Sequence, residues 1–144
     1  MIDVGDKPVT KRRAVARAFV RVPAHVQERI AAGTLPKGDV LAVARVAGIM
    51  AAKRTPEIVP LCHPLPLTRV DVDPVLCDGG IEITAAAETT AQTGVEMEAL
   101  TAALVAALTV YDMTKGLDPT ITIERAELLE KEGGKSGHWR REAG

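Results

Sequence analysis

An α+β fold is what this sequence predicts, on three observations. The segments read in the order strand, helix, helix, strand, strand, helix, strand, which suits paired antiparallel strands with helices on one face. Two of the strand segments flank Gly79-Gly80, a hairpin-like turn. The longest apolar segment lies between Gly94 and Gly116 with no breaker inside it, as a core helix should.

Each element has its own grounds. "MIDVGDKPVT" is polar and carries Gly and Pro, so residues 1–10 are expected as a flexible arm. "RRAVARAFVRV" sets Arg13, Val15, Arg17, Phe19 and Arg21 against small or apolar neighbours, a strand with one basic face. "PAHVQERIAAG" starts at Pro23 and stops at Gly33, a short helix. "DVLAVARVAGIMAAKRTP" offers Asp39 as N-cap and places Leu41, Ala44, Val46 and Ile49 at helical spacing, ending near Pro56. "LPLTRVDVDPVLCD" and "IEITAAAETTA" are the hairpin strands, and "PTITIERAELLEKE" is a further strand. The Gly-rich, basic end, residues 132–144, is expected as a second flexible arm.

At 144 residues the chain is expected to be one domain with its own core, and no repeat or linker divides it. With 47% hydrophobic and 26% charged residues it is ordinary for a globular protein, but it has only one Phe, one Tyr and one Trp. The apolar content is largely Ala, Val and Leu, which lets helices approach closely. A net charge of −1 excludes a general case for nucleic acid or an anionic membrane surface as partner. No secretory leader or lipid-anchor pattern is read at the start, and the apolar run Ala99–Tyr111 is too short to span a bilayer. The two cysteines are expected as reduced thiols in a cytoplasm.

Three groups of residues could carry chemistry. The first is "PLCHPLPL". Cys62 and His63 are neighbours, and on an extended chain neighbours point in opposite directions. That argues against one metal ion or a thiol–base pair, as does the fifteen-residue gap to Cys77. Two readings stand: Pro60, Pro64 and Pro66 hold His63 in a functional pose, or His63 is a satisfied loop imidazole beside a packed Cys62. The second group lies on the long helix. Asp112 and Lys115 fall about 60° apart on one face, read either as a solvated ion pair or as a partly buried proton-transfer pair. Glu98 sits fourteen residues earlier, roughly 21 Å away along the axis. One small ligand cannot touch both, so a shared site needs a second subunit.

The third group is the cationic loops. "KEGGKSG" looks like a P-loop, but that motif needs Gly where Leu129 stands and a helix after Ser136. Lys131 and Lys135 flanking Gly133-Gly134 still suit a phosphate, or form a merely flexible basic tail. With "TKRRA" and Lys37 of "PKGDV" they suit a small polyanion such as a nucleotide triphosphate.

"KGDVLAVARVAGIMAAKRTPEIVPLCHPLPL", "TGVEMEALTAALVAALTVYDMTK" and "GGKSG", in this order, closely resemble the cyclic pyranopterin monophosphate synthase family, the C protein of molybdenum cofactor biosynthesis. The likeness runs from "DVGDKPVTKRRA" to the tail. It implies a ferredoxin-like α+β subunit in a homohexamer, a trimer of dimers, with active sites at the dimer interface. The implied reaction is a lyase step that rearranges 3′,8-cyclo-7,8-dihydro-GTP, made by a radical S-adenosylmethionine cyclase, into cyclic pyranopterin monophosphate with loss of pyrophosphate. No cofactor or metal is implied. By motif, the catalytic residues fall on Asp112, Lys115 and Lys37. The substrate-binding residues fall on Leu61, Cys62, His63, Met97, Glu98, Arg12 and Lys131. Glu132 and Thr114 depart from the family pattern, where Ser and Cys are more usual. The alternative is a non-catalytic nucleotide-binding or scaffold protein of the same fold.

Overall fold

The arginine-alternating stretch becomes the central strand, and its alternation explains why. In the computed structural model, which describes residues 1–143, β1 (Thr10–Arg21) turns Ala14, Ala16, Ala18 and Val20 inward, all fully buried. Successive strand side chains point to opposite faces, so Arg13, Arg17 and Arg21 stand on the outer one. There they meet glutamates of β4 (Thr122–Glu132): Arg13 with Glu130 at 2.7 Å, Arg17 with Glu127 at 2.7 Å, and Arg21 with Glu124. The face that reads as basic from one strand is thus neutralised by its neighbour.

β2 (Leu67–Cys77) and β3 (Gly80–Ala91) form the expected hairpin. The strands pair antiparallel throughout in the order β2-β3-β1-β4-β5, where β5 is Trp139–Arg140. With helices between β1 and β2 and again between β3 and β4, this is the ferredoxin-like arrangement with one strand added at the edge. That strand lies in the stretch expected as a flexible tail: Trp139 and Arg140 pair with Lys131 and Glu130. Two residues carry too little hydrophobic pattern to read as a strand.

The helices begin and end where their punctuation says. α1 (Ala24–Ala32) follows Pro23 and closes on Gly33. In α2 (Val40–Lys53) the Asp39 carboxylate accepts from the Ala42 amide at 3.1 Å. A four-residue helix, α3 (Thr55–Ile58), follows directly, unanticipated because Pro56 reads as a stop; proline is tolerated in a first turn. α4 (Glu96–Thr114) crosses the sheet, burying Ala99, Ala102, Ala103, Ala106, Ala107 and Val110. A side chain on Gly48 of α2 would stand 2.9 Å from the Ala102 carbonyl, so the two helices touch backbone to backbone. The alanine-rich composition is what permits that approach.

Core strength comes from larger aliphatics between sheet and helices. Ile81, Ile83, Val20, Val72 and Val110 are fully or almost fully buried, and truncating Ile83 to Ala would cost about 2–5 kcal/mol. Among the described residues α4 is the one helix long and apolar enough to cross a membrane, but half of that stretch is buried inside this fold.

Candidate active site

The first turn of α4 and the proline-rich loop before β2 together wall a cavity of about 360 Å³. Leu61, Cys62 and His63 line one side, Met97 and Glu96 another, and Met1, Ile2 and Val4 of the N-terminal arm cover it. Adjacent residues do diverge here. Cys62 Sγ turns to α4 and reaches Glu98 Oε2 at 3.6 Å, whereas His63 donates through Nε2 to the Ile2 carbonyl at 2.7 Å. No metal ion could take both at once, so the loop presents them as separate groups.

Glu98 is 2% exposed and stands behind Cys62 rather than in the cavity wall. Two effects compete on it. The amide groups at a helix N-terminus favour its anion, and burial disfavours it. Burial wins, and the Glu98 carboxyl titrates above its usual range. The same burial, with the Glu98 charge beside it, pushes the Cys62 thiol up to about 11. Glu98 Oε1 is buried without a hydrogen-bond partner.

Next to this cavity lies a smaller one of about 140 Å³, sharing Lys7, Thr93, Gly94 and Glu96 with it. Its floor is Arg12, 8% exposed and without a carboxylate partner; Nη2 donates to the Gln92 carbonyl at 3.3 Å, and Nε has no partner. Lys131 lines the wall. Gly133 and Gly134 turn tightly around this arginine with φ of 98° and 72°, and a side chain on Gly134 would collide with the guanidinium. A buried guanidinium with spare donors, a lysine and a glycine turn are groups that can receive a phosphate-like anion. Glu132 is on the rim too, with Oε1 3.7 Å from His138 Nε2.

The other end of α4 borders a hollow of about 330 Å³ lined by Pro36, Lys37, Asp112, Met113, Lys115 and Leu117. Lys37 Nζ and Lys115 Nζ each stand 3.1 Å from an oxygen of Asp112, and Lys37 also donates to the Asp112 carbonyl. The side chain of Asp112 is 54% exposed, which decides between the two readings for the solvated pair over the partly buried one. The apolar run before it does not face one way: Leu104 and Leu108 are themselves exposed, and Asp112 continues their edge. The two lysines hold the Asp112 carboxyl below its usual range. Thr114, in place of the more usual Cys, is buried and donates to the Val110 carbonyl at 2.7 Å.

The ten expected site residues therefore form two groups. Leu61, Cys62, His63, Met97, Glu98, Arg12 and Lys131 gather around the start of α4. Lys37, Asp112 and Lys115 gather at its end, about 21 Å away along the axis. Sequence reasoning missed Lys7, which lines both cavities at the first end, because "GDKP" read only as a loose arm. Of metal-capable clusters among the described residues, Glu130, Glu132 and His138 bring their ligand atoms within 4.8 Å of one another, but Arg13 and Arg140 already hold Glu130.

Comparison with known proteins follows the same residues. The profile of the MoaC family matches residues 1–134. The chain is 60% identical to the cyclic pyranopterin monophosphate synthase of Thermomicrobium roseum, over 99% of this chain and 87% of that one. It is 57% identical to cyclic pyranopterin monophosphate synthase 2 of Mycobacterium bovis, covering 98% and 84%. The enzyme of that name from Novosphingobium aromaticivorans is 55% identical, covering 97% and 89%.

Proposed function

Because the chain belongs to the MoaC family, we propose that it is a cyclic pyranopterin monophosphate synthase, a lyase of molybdenum cofactor biosynthesis. Its substrate in this reading is 3′,8-cyclo-7,8-dihydro-GTP. The observation that carries the reading is Asp112, whose two carboxylate oxygens each meet a lysine at 3.1 Å, on a chain that is full-length similar to synthases of that name.

The reaction makes two demands. Opening and reclosing the purine-derived ring moves protons between carbon, nitrogen and water. Asp112, held ionised by its lysines, accepts a proton, and Lys37 or Lys115 returns one. Closing the cyclic phosphate forms a bond from a substrate hydroxyl oxygen to the α-phosphorus and breaks the bond to the β-phosphate, so pyrophosphate leaves with the electron pair. Arg12, Lys131 and Lys7 are the cations available to that leaving group. His63 and the loop backbone at Leu61 and Cys62 hold the ring system against Met97. Glu98 stabilises this wall from behind.

No redox step occurs, and the reading needs no cofactor. The substrate comes from a radical S-adenosylmethionine cyclase acting earlier, in the cytoplasm. The two groups belong to one site contributed by two subunits, in a hexamer built as a trimer of dimers. Support for sharing is the roughly 21 Å between Glu98 and Asp112, which no single small ligand bridges within one chain.

Incubating purified protein with the cyclised GTP intermediate tests the activity, with pyrophosphate and pterin product expected in equal amounts; no pyrophosphate overturns it. Mixing two inactive variants, Asp112→Asn and His63→Ala, tests the sharing. Turnover should return as subunits exchange, and a mixture that stays inactive sinks the shared site.

A further inference from the structure

The small anion pocket lies between two segments that the sheet does not pair. β1 and β3 pair as far as Thr10 and Ala91, and beyond that point residues 1–9 and 92–95 run as loops. The first loop carries Lys7 to both cavities, and the second carries Thr93 and Gly94 to the same two. Gln92 stands at the junction. Its carbonyl accepts from Arg12 Nη2 at 3.3 Å, and its side-chain Nε2 donates to the Gly5 carbonyl at 3.1 Å. Any residue at position 92 would supply the carbonyl, so what glutamine adds is the bond to the arm. That bond falls two residues from Lys7, inside a local turn. There the Lys7 amide donates to the Val4 carbonyl at 3.0 Å and the Gly5 amide to the Asp3 carboxylate at 2.8 Å.

We propose that Gln92 is a positioning residue of this pocket: its side-chain amide clamps Gly5 and thereby fixes Lys7 where a pyrophosphate group is received. The inference deepens the pyrophosphate-releasing reading of the site and rests on it. Of the three cations lining the pocket, Lys7 alone stands on a segment outside the sheet. Arg12 lies on β1, buried and enclosed by the Gly133-Gly134 turn. Lys131 lies on β4, in register with Ala14. Lys7 is exposed, and a lysine stem is long and flexible, so its ammonium group is placed only as well as the backbone beneath it. A neutral amide is the suitable clamp. A carboxylate could not donate to a carbonyl and would repel the anion, whereas a cation would itself attract it. The other tie of the arm, His63 on the Ile2 carbonyl, lies five residues from Lys7 and beside the apolar cavity. The clamp at Gly5 is the one near enough to set the lysine.

Calorimetric titration with inorganic pyrophosphate reads the clamp without turnover. Gln92→Leu keeps the size of the side chain and removes the donor. It should retain the circular dichroism of the parent and bind pyrophosphate about fivefold more weakly. Amide hydrogen exchange should quicken over residues 3–7 and stay unchanged in α4. Lys7→Ala should weaken binding about tenfold. Adding Gln92→Leu to it should cost less than about twofold more, because the clamp acts through that lysine. In turnover, KM should rise in Gln92→Leu with a smaller change in kcat. Gln92→Asn carries the same amide on a shorter stem that falls short of Gly5, and it should repeat the loss if leucine is not tolerated. Unchanged pyrophosphate affinity, or unchanged exchange over the arm, overturns the proposal. So does the full loss recurring in the Lys7→Ala background, or a parent that does not bind pyrophosphate. A parent that binds pyrophosphate yet leaves the cyclised GTP intermediate unreacted counts against the synthase reading alone, and the binding cycle still decides the clamp.

Discussion

The two ends of α4 carry the same functional group, a carboxyl, in opposite surroundings. Glu98 is buried with the Cys62 thiol beside it, and its carboxyl titrates above the ordinary range. Asp112 is half in solvent between two ammonium groups, and its carboxyl titrates below that range. One carboxyl is thus shifted up and the other down by the surroundings at the two ends of a single helix. Environments that drive like groups apart are how one protein fields an acid and a base together. The first end is finished within the single chain, with walls, floor and lid from its own loops. The second is a half-exposed charge cluster beside a hollow of about 330 Å³ that Pro36, Met113 and Leu117 line as well.

The largest expected effect breaks the contrast at the open end. Asp112→Asn keeps the shape and removes the charge, so both lysines lose their shared anion and the proposed mechanism loses its base. Turnover should fall on the order of 10²–10⁴-fold, measured as pyrophosphate release. The fold should be intact, because the ion pairs are exposed and exposed pairs contribute little. Activity within about twofold of the parent would take Asp112 out of the mechanism.

Next in size is the anion pocket at the closed end. Gly134→Ala places a methyl group against the Arg12 guanidinium at a backbone position with φ of 72°. Arg12 must then leave the pocket floor. KM for the triphosphate substrate should rise about tenfold with a smaller change in kcat, the pattern of a lost binding contact. Inhibition by added pyrophosphate should weaken in parallel. A kcat loss with KM unchanged would detach the pocket from binding.

A third test concerns the proton on Glu98. A carboxyl whose folded pKa is raised binds more protons folded than unfolded, so its stability is fully present below the unfolded value of 4.5 and declines as pH rises through the folded one. Glu98→Gln imitates the protonated form at every pH. The melting temperature of the variant relative to the parent should therefore climb as pH rises above about 4.5. A difference that stays flat with pH would mean that burial does not raise the Glu98 carboxyl, and the two carboxyls would no longer contrast.

Much of this arrangement was legible in the sequence, for reasons that differ by residue. The alternation from Arg13 to Arg21, the cap at Asp39 and the stops at Gly33 and Gly116 are local signals, and each element formed where they predict. The distance between Glu98 and Asp112 follows from helix geometry alone. What stayed hidden depends on contacts between distant segments. Lys7 reaches the cavities because His63 holds Ile2 and Gln92 holds Gly5, which tie the arm down. The burial of Arg12 is set by the turn at Gly133-Gly134, some 120 residues later. Asp112 left two readings open, solvated or partly buried, because its apolar neighbours suggest burial; Leu104 and Leu108 lie on the outer edge of the helix, which decides for the exposed one.

The smallest expected effect is at Cys62, the residue whose position beside His63 first suggests reactivity. Its thiol is held up to about 11, so at neutral pH it is a neutral group giving a weak hydrogen bond to Glu98 at 3.6 Å. A raised thiol pKa contributes stability below the unfolded value of 9.0 that is lost as pH rises above it. Cys62→Ala removes that bond and leaves a second buried carboxyl oxygen without a partner. The loss should be about 1 kcal/mol by urea unfolding near pH 7, narrowing above pH 9 as the thiol of the unfolded parent begins to ionise. Turnover should stay within about twofold, since no step uses sulfur. Complete loss of turnover in a folded Cys62→Ala would make the thiol a participant, and the closed end of α4 would then be reacting as well as holding.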